Sequence, residues 1–450
     1  MRKSSNFASF NAVLPFAMER LMQYVWQHRL WCSEDMTTND GRRVRVLDPG
    51  LLNTDAGPDF FNAKVEIDGH VWVGNVEIHV RASDWHRHGH DTDKAYDNVI
   101  LHVVDKDDAP IQRTNGELIP QLVLQVSPRF GESYNNLVNA KVQLPCAKQL
   151  LSVPHLTITE WVEALAFERL HGKVERLREL HGLYNGSWED VCYVTLARTL
   201  GFGLNSDALE RLARRTPLRL LHKHSDSLLQ IEALLMGQAG LLQDDVNQGN
   251  ANDPYVQQLQ REYAFLANKF SLKPMESEAW RLFRIRPQNF PYRRIALLAH
   301  FVYGGFNLMQ RIMETDTVQE LRELFQIELT GYWANHYTFG KATPATTRAL
   351  SASSIDVVLI NMVATLYYAR GEMTDDFSLC ERAISLLEAL KPEQNSIVAT
   401  FEVAGIKADD ALTSQALIQL RRNYCDTRKC LYCKIGHWLL SRAARRNDKI

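Results

Sequence analysis

Residues 58–80 read PDFFNAKVEIDGHVWVGNVEIHV, and this stretch decides the fold of the first third of the chain. Two runs rich in β-branched and aromatic residues flank Asp68 and Gly69, a dipeptide that is a strong signal for a β-hairpin. Side chains alternate along a strand, so Glu77 and His79 share one face of the second strand, whose other face is largely apolar. Two ionisable groups in such a strand need a specific partner.

The residues on either side of the hairpin predict one helix and further strands. Residues 18–30 carry a helical stripe of apolar side chains, and strand-like runs follow at 43–47, 98–104 and 122–126. A short crossover at 91–96 separates the hairpin from the run that follows it. This order of elements predicts an α+β domain around a mixed β-sheet.

The rest of the chain has the pattern of helices. Thr157 and Glu160 form a capping box ahead of a long periodic segment, and prolines punctuate the later segments. We therefore predict a disordered extension at residues 1–17 and the α+β domain at residues 18–145. An all-helical region follows at residues 146–450, which can divide into two subdomains and ends with a cluster of cysteines.

Composition restricts the class of protein. The 450 residues include 51 basic and 53 acidic side chains, which give a formal net charge of −2. Charged residues recur too often for an integral membrane protein, and the longest apolar stretch, 355–368, is shorter than the ~20 residues of a spanning helix, so we expect no membrane partner. Seven cysteines, an odd number, favour reduced thiols and a cytoplasmic location.

The near-zero net charge conceals an uneven distribution of charge along the chain. Residues 421–450 contain nine basic side chains and two acidic ones, so the remainder of the chain is acidic. A basic segment of this kind is compatible with a nucleic-acid partner.

Glu77 is the residue that most needs an explanation. Burying its carboxylate without a partner would cost several kcal/mol, and a bound cation would remove that penalty. Carboxylate oxygens are the preferred ligands of Mg²⁺, and Asp59 lies at the start of the adjacent strand, where it could complete a site for Mg²⁺ or Mn²⁺. The alternative is that Glu77 pairs with Arg81 or Lys64 in a half-exposed sheet.

These residues resemble the PD-(D/E)XK, or restriction-endonuclease-like, nuclease superfamily. The match consists of Pro58-Asp59 and then Glu77-Ile78-His79, in a helix–strand–hairpin–crossover order. The resemblance implies metal-assisted hydrolysis of phosphodiester bonds, with the metal held by Asp59, Glu77 and the carbonyl group of Ile78. It also implies a role for a carboxylate of the first helix, where Glu19 lies. His79 departs from the family because a lysine usually occupies this position, and we expect it to orient the attacking water or stabilise charge.

The chain also resembles a bacterial family of unknown function, DUF2851. Residues 56–104, AGPDFFNAKVEIDGHVWVGNVEIHVRASDWHRHGHDTDKAYDNVILHVV, carry this resemblance. It is more specific than the nuclease motif, but it implies no established activity.

A run of histidines follows the second strand of the hairpin. Neutral imidazole is a common ligand of transition metals, so His86 and His88, with Asp84 or Asp91, predict a rival zinc or manganese site. The same residues could instead be accessory catalytic groups or a polar loop that caps the next helix. His90 and His102 are further candidate accessory residues. His102 could also be an ordinary core histidine.

The C-terminal cysteines form a second candidate metal site. Cys425, Cys430 and Cys433 have the spacing C-x4-C-x2-C, and His437 follows, so the four could hold Zn²⁺. Buried structural thiols are the alternative. An iron–sulfur cluster is a third interpretation, and it would need an upstream cysteine such as Cys146.

A basic segment with aromatic residues lies at positions 281–296, RLFRIRPQNFPYRRIA. Its arginines could follow a phosphate backbone while the aromatic rings stack on bases, or they could dock the loop on the helical region by ion pairs. The candidate nucleic-acid contacts are Arg284, Arg286, Arg293 and Arg294.

Three hypotheses of function follow from these features. The first is a metal-dependent nuclease of restriction-endonuclease-like fold with a large helical appendage. The second is a catalytically inactive binding or scaffold protein that keeps the nuclease fold. The third is a histidine-rich metal hydrolase acting on a substrate other than nucleic acid.

Overall fold

The computed structural model describes residues 15–33, 35–243, 252–343 and 349–445. The chain divides into two compact units. The first unit consists of Met1–Trp161, Val403–Gly405 and Leu420–Ile450, and the second of Val162–Glu402 and Ile406–Gln419. Residues 1–14 of the predicted disordered extension lie outside the described residues, and the prediction is wrong for residues 15–17, which begin α1.

The division into units differs in two respects from the boundary expected after residue 145. The first unit extends to Trp161, and the C-terminal segment with the cysteines belongs to it. The physical reason is burial, because Leu431 and Leu440 lie in the same hydrophobic core as the strands of the sheet.

Seven strands within the described ranges form one mixed sheet: β1 (Met36–Thr37), β2 (Arg43–Asp48), β3 (Leu51–Leu52), β4 (Phe60–Ile67), β5 (His70–Arg81), β6 (Val99–Lys106) and β7 (Gln121–Val123). Their order is β1-β2-β4-β5-β6-β7, with β3 paired to β4. The pairs from β1 to β5 are antiparallel, whereas β5 with β6 and β6 with β7 are parallel. The predicted α+β class with a mixed sheet is confirmed.

Eighteen α-helices lie within the described part of the chain: α1 (Pro15–Gln27), α2 (Asp84–Arg87), α3 (Pro128–Val138), α4 (His155–Leu183), α5 (Trp188–Leu200), α6 (Ser206–Arg215), α7 (Leu218–Leu221), α8 (Leu228–Gln238), α9 (Pro254–Phe270), α10 (Pro291–Val302), α11 (Leu308–Glu314), α12 (Val318–Leu324), α13 (Ala352–Val358), α14 (Ala364–Thr374), α15 (Phe377–Ala389), α16 (Ser396–Val403), α17 (Ala411–Gln419) and α18 (Lys434–Arg445). A π-helical turn joins α13 to α14, and another follows α17. The large helical region expected after the sheet is confirmed.

Strand β5 is the centre of the first unit. Val76 and Ile78 face a hydrophobic core that includes residues of α1. Glu77 and His79 alternate with them and are also buried, on the opposite face of the sheet. A smaller cluster around Trp85 lies in the segment between β5 and β6 and in the residues after β6. Residues 76–79 of β5 are therefore buried on both faces, one apolar and one polar, whereas residues 70–73 of the same strand are exposed.

The second unit is helical in its described residues, with a large hydrophobic core. Residues 352–374, which span α13 and α14, are long and apolar enough to cross a membrane by length and composition, and their most apolar window of 18 residues has a mean hydropathy of 1.4. In the structure, 67% of their most apolar window is buried inside the fold, as in the core helix of a globular unit.

Gly74 allows close approach of β5 and β6, and we predict that replacing it destabilises the first unit. A Cβ atom at this position would collide with the side chain of Ile100 and lie 2.8 Å from the carbonyl oxygen of Asn98. We expect Gly74→Ala to lower the free energy of unfolding by about 1–3 kcal/mol, measured by urea denaturation. Gly172→Ala in α4 is the control, because its Cβ meets no atom within 4 Å. Equal stability of Gly74→Ala and the wild type would contradict this prediction.

Candidate metal centre

The backbone of the hairpin holds two carboxylates together. Asp59 directly precedes β4, and its amide N–H donates to Oε2 of Glu77 at 2.9 Å. In return, Oδ2 of Asp59 accepts the amide N–H of Ile78 at 3.0 Å. Each carboxylate is therefore positioned by the backbone beside the other, on strands that are paired along the hairpin. Ile78 contacts Asp59 through its N–H group, whereas the resemblance implied a role for its carbonyl group.

Helix α1 adds two side chains to this pair. Nε2 of Gln23 donates to Oδ1 of Asp59 at 2.9 Å. Glu19 lies one turn earlier on the same helix, and its charge interacts with that of Asp59. Gln23 was not among the residues predicted for this site, although its i, i+4 spacing from Glu19 places the two on one helix face.

Three carboxyl groups in this cluster have raised pKa values. Burial, with a smaller contribution from Glu19, raises the pKa of Glu77 to about 8. Burial and the charge of Glu77 raise the pKa of Asp59 to about 7, and burial and the charge of Asp59 raise that of Glu19 to about 7. Buried carboxylates that repel one another in this way favour either a bound proton or a bound cation.

Three histidines lie beside these carboxylates: His79 on β5, and His88 and His90 in the segment that follows α2. Nε2 of His79 lies 3.1 Å from Nδ1 of His88, and the ring of His90 stacks on that of His79. Oε1 of Glu77 lies 3.5 Å from Nε2 of His79 and 3.4 Å from Nε2 of His90. Within the residues that the structure describes, these three histidines are the one group able to hold a metal ion whose ligand atoms all lie within 4.8 Å of one another.

A chain of hydrogen bonds across the parallel strands determines the tautomer of His79. Gln121 donates from Nε2 to Oδ1 of Asp107 and to the carbonyl oxygen of Ala109, so its Oε1 accepts from Nδ1 of His102 at 3.2 Å. His102 therefore has a free lone pair on Nε2, which accepts from Nδ1 of His79 at 2.8 Å. This leaves the lone pair of His79 Nε2 directed at the cluster, in the state that binds a metal.

We predict that Gln121→Leu weakens metal binding by about 10–100-fold, because the variant no longer imposes this tautomer on His79. Isothermal titration of the metal-free protein with Mn²⁺ measures the effect. Gln125→Leu is the matched control, because Gln125 is exposed and follows the same strand. Equal affinity in both variants would show that Gln121 does not position the imidazole.

Burial favours the neutral imidazole form of His79. Burial, followed by the charges of the neighbouring histidines, lowers its pKa to about 2. His79 therefore cannot supply the positive charge of the lysine that usually occupies this position in the PD-(D/E)XK superfamily. Arg87 provides a positive charge near the cluster, since its guanidinium acts on the pKa values of Glu19 and His79. It is largely exposed and pairs with Asp84 at 3.1 Å. Arg87 was not among the residues predicted for this site.

The rival site expected around His86 and Asp84 is not assembled. Nδ1 of His86 lies 3.2 Å from Asp91 and its Nε2 lies 3.3 Å from the carbonyl oxygen of Pro110, so the ring is directed to the loop. Asp84 accepts the amide N–H of Arg81 and pairs with Arg87, which orders the start of α2. Of the residues proposed for this site, His88 alone joins the group of three histidines.

The structure also does not support His437 as the fourth ligand of the predicted zinc site. Nδ1 of His437 is hydrogen-bonded to the hydroxyl group of Tyr24, and its Nε2 lies 3.3 Å from Oγ of Ser441. Both ring nitrogens therefore have other partners, because α18 directs the ring towards α1.

Two of the four arginines proposed as nucleic-acid contacts are buried. Nη1 of Arg293 donates to the carbonyl oxygens of Trp333 and His336 at 3.0 and 3.1 Å. Nη2 of Arg294 donates to Oδ1 of Asn289 at 2.6 Å. These guanidinium groups hold neighbouring loops of the second unit and are not accessible to a phosphate, which corrects the prediction for both. The other two proposed contacts are exposed: Arg284 and Arg286.

Together, the fold and the site define an α+β protein whose mixed sheet holds a buried cluster of carboxylates and imidazoles. The chain belongs to the family DUF2851, described as a protein of unknown function, whose model matches residues 19–396. The resemblance to this family is therefore confirmed, and the match includes all the residues of the cluster. Among curated proteins none matches the chain, and no solved structure matches it.

Proposed function

We propose that this protein hydrolyses phosphodiester bonds of nucleic acid with a divalent metal ion, Mn²⁺ or Mg²⁺, bound at Asp59, Glu77 and His79. The observation that carries the proposal is the reciprocal hydrogen bonding of Asp59 and Glu77 beside the lone pair of His79 Nε2. Two carboxylates and one imidazole are a suitable ligand set for Mn²⁺, and the carboxylates alone suit Mg²⁺.

The neighbouring side chains suit the chemistry of hydrolysis. A metal ion in this position would polarise a phosphoryl oxygen and lower the pKa of a bound water molecule. Glu19 interacts with Asp59 from α1, and its carboxylate could accept a proton from that water. Arg87 is exposed at the same site and can stabilise the negative charge of the phosphate.

The order of elements supports nucleic acid as the substrate class. Helix α1 with Glu19 comes first, and Pro58-Asp59 and Glu77-x-His79 follow on the hairpin of β4 and β5. The chain then crosses over through α2 to β6, which is parallel to β5. This order agrees with the one that the resemblance to the PD-(D/E)XK superfamily implies, and it supports the proposal by analogy of fold.

The group of three histidines favours a second candidate function. Its ring nitrogens lie within 4.8 Å of one another, and imidazole is a better ligand for Zn²⁺ than for Mg²⁺. This arrangement suits a transition-metal hydrolase that acts on a substrate other than nucleic acid.

Cleavage assays with defined metals test these proposals. Labelled single-stranded and double-stranded DNA and RNA are incubated with the metal-free protein and added Mn²⁺, Mg²⁺ or Zn²⁺, in parallel with aryl phosphate and aryl ester substrates. We expect cleavage of nucleic acid with Mn²⁺ by the wild type and by Glu132→Gln, a control at an exposed position of α3. Hydrolysis of the aryl substrates alone would favour the second candidate. Metal binding without any hydrolysis would refute catalysis and favour a binding protein.

A further inference from the structure

Four cysteines of the first unit come from two distant parts of the chain. Cys146 precedes a 3₁₀ helix, and the other three lie between α17 and α18. Nη2 of Arg428 donates to the carbonyl oxygens of Ala140 and Val142 at 2.6 and 3.0 Å. Nη1 of the same guanidinium donates to the carbonyl oxygen of Cys425 at 3.2 Å. Arg428 therefore fastens the turn after Cys425 to the segment that leads into Cys146.

The four thiol groups lie close enough for the charge of one to affect the pKa of another. After burial, the charges of Cys146, Cys433 and Cys430 contribute to the raised pKa of Cys425. Burial raises the pKa of Cys146 to about 12, with contributions from Cys433 and Cys430, and burial with the charge of Cys433 raises that of Cys430 to about 11. Cys425 and Cys433 are buried and Cys146 and Cys430 are half-buried, and the latter two pack against the same hydrophobic core.

The sulfur of Cys433 is surrounded by hydrogen-bond donors. It accepts from the amide N–H groups of Ile435 and Gly436 at the start of α18, and the indole N–H of Trp161 also acts on it. That indole nitrogen is buried and has no partner of standard geometry among the described residues. Gly436 leaves room for this turn, since a Cβ atom there would collide with the carbonyl oxygen of Cys430. Burial raises the pKa of the Cys433 thiol, and these donors act against that rise.

We propose that Cys146, Cys425, Cys430 and Cys433 form a four-thiolate metal site, which holds either a zinc ion or an iron–sulfur cluster. Four cysteine thiolates are the ligand set of both. The site is separate from the carboxylate and histidine cluster on β5, and it does not depend on the proposed hydrolysis. A metal here would join the C-terminal segment covalently to the residues that follow α3.

The spacing of the sulfur atoms bears on which metal is bound. No three of the four lie within 4.8 Å of one another, since within the described chain that criterion is met by the histidine group alone. A zinc ion with Zn–S bonds of about 2.3 Å would draw the sulfurs closer than this. An iron–sulfur cluster, in which several iron atoms lie between the ligands, holds them farther apart.

Metal analysis of the full-length protein tests this site. The protein is purified without oxygen, and zinc, iron and acid-labile sulfide are measured together with the visible absorption spectrum. We expect either about one equivalent of zinc or an iron–sulfur cluster with matching sulfide and a broad visible band. Cys146→Ser and Cys433→Ser should lose this metal. Cys32→Ser, an exposed cysteine in the same unit, and His437→Asn should retain it.

Differential alkylation of the wild type keeps the test decisive if a cysteine variant fails to fold. Removal of the metal, by a chelator for zinc or by oxidation and chelation for iron, should make the four cysteines reactive together, whereas Cys32 reacts before and after. Two results would each overturn the proposal. One is the absence of both zinc and iron in the wild type, and the other is unchanged metal content in a folded Cys146→Ser variant.

Discussion

Glu77→Gln is expected to lower the rate of metal-dependent cleavage by roughly a thousandfold. Glutamine has the size of glutamate, and its amide oxygen can still accept the N–H of Asp59, so the hairpin keeps its geometry. The variant lacks the negative charge that would hold the cation between β5 and the start of β4. The rate is measured under single-turnover conditions with saturating Mn²⁺, so that weaker substrate binding does not obscure the loss.

Two comparisons separate a catalytic effect from a loss of structure. Glu132→Gln changes an exposed glutamate of α3 and should keep the wild-type rate. Asp59→Asn should show a loss similar to that of Glu77→Gln, because each carboxylate is positioned by the backbone beside the other. Wild-type activity in a folded Glu77→Gln variant would exclude Glu77 as a metal ligand and refute the assignment of the site.

The second large effect concerns the stability of the metal-free protein at alkaline pH. The pKa of Glu77 is about 8 in the folded protein, against a usual value of 4.5, because the carboxyl group is buried. The unfolded chain therefore loses this proton at lower pH than the folded chain does. As the pH rises from about 4.5 to about 8, the group progressively destabilises the folded state, and above pH 8 the full penalty remains.

Glu77→Gln removes this penalty, so we expect the metal-free variant to be more stable than the wild type at pH 8.5 by on the order of 3 kcal/mol. At pH 5 the two should differ little, because the folded wild type keeps the proton on Glu77. The free energy of unfolding is measured by urea denaturation after removal of metal, at pH 5, 7 and 8.5.

The buried histidines reduce the stability of the folded state as the pH falls, whereas Glu77 reduces it as the pH rises. Their contribution is the same in both proteins and cancels in the difference. Burial lowers the pKa values of His79 and His102, so protonation of the unfolded chain reduces stability as the pH falls below about 6.5. Both proteins share this loss, so their difference isolates Glu77. Adding Mn²⁺ at pH 8.5 should reverse the order, because the wild type gains a ligand and the variant does not. A wild type that is more stable than the variant at pH 8.5 without metal would contradict the buried carboxylate.

The features that depend on neighbours along the chain follow from the sequence alone. The Asp68-Gly69 turn and the alternation after it predict the hairpin and the shared face of Glu77 and His79, because strand geometry has a period of two. The turn alone does not place Asp59 beside Glu77, because a register shift between Phe60 and Ala63 moves the pairing by one residue. Family membership also follows from this stretch, because it contains a long specific pattern.

Which of the remaining polar residues meet depends on long-range packing. The parallel pairing of β5, β6 and β7 aligns His79, His102 and Gln121, and no local signal sets the register of strands joined by crossovers. The burial of Arg293 and Arg294, and the approach of Cys146 to the C-terminal cysteines, likewise depend on packing between segments far apart in sequence. Residue type predicts which chemistry is possible, whereas long-range packing decides which side chains are close enough to perform it.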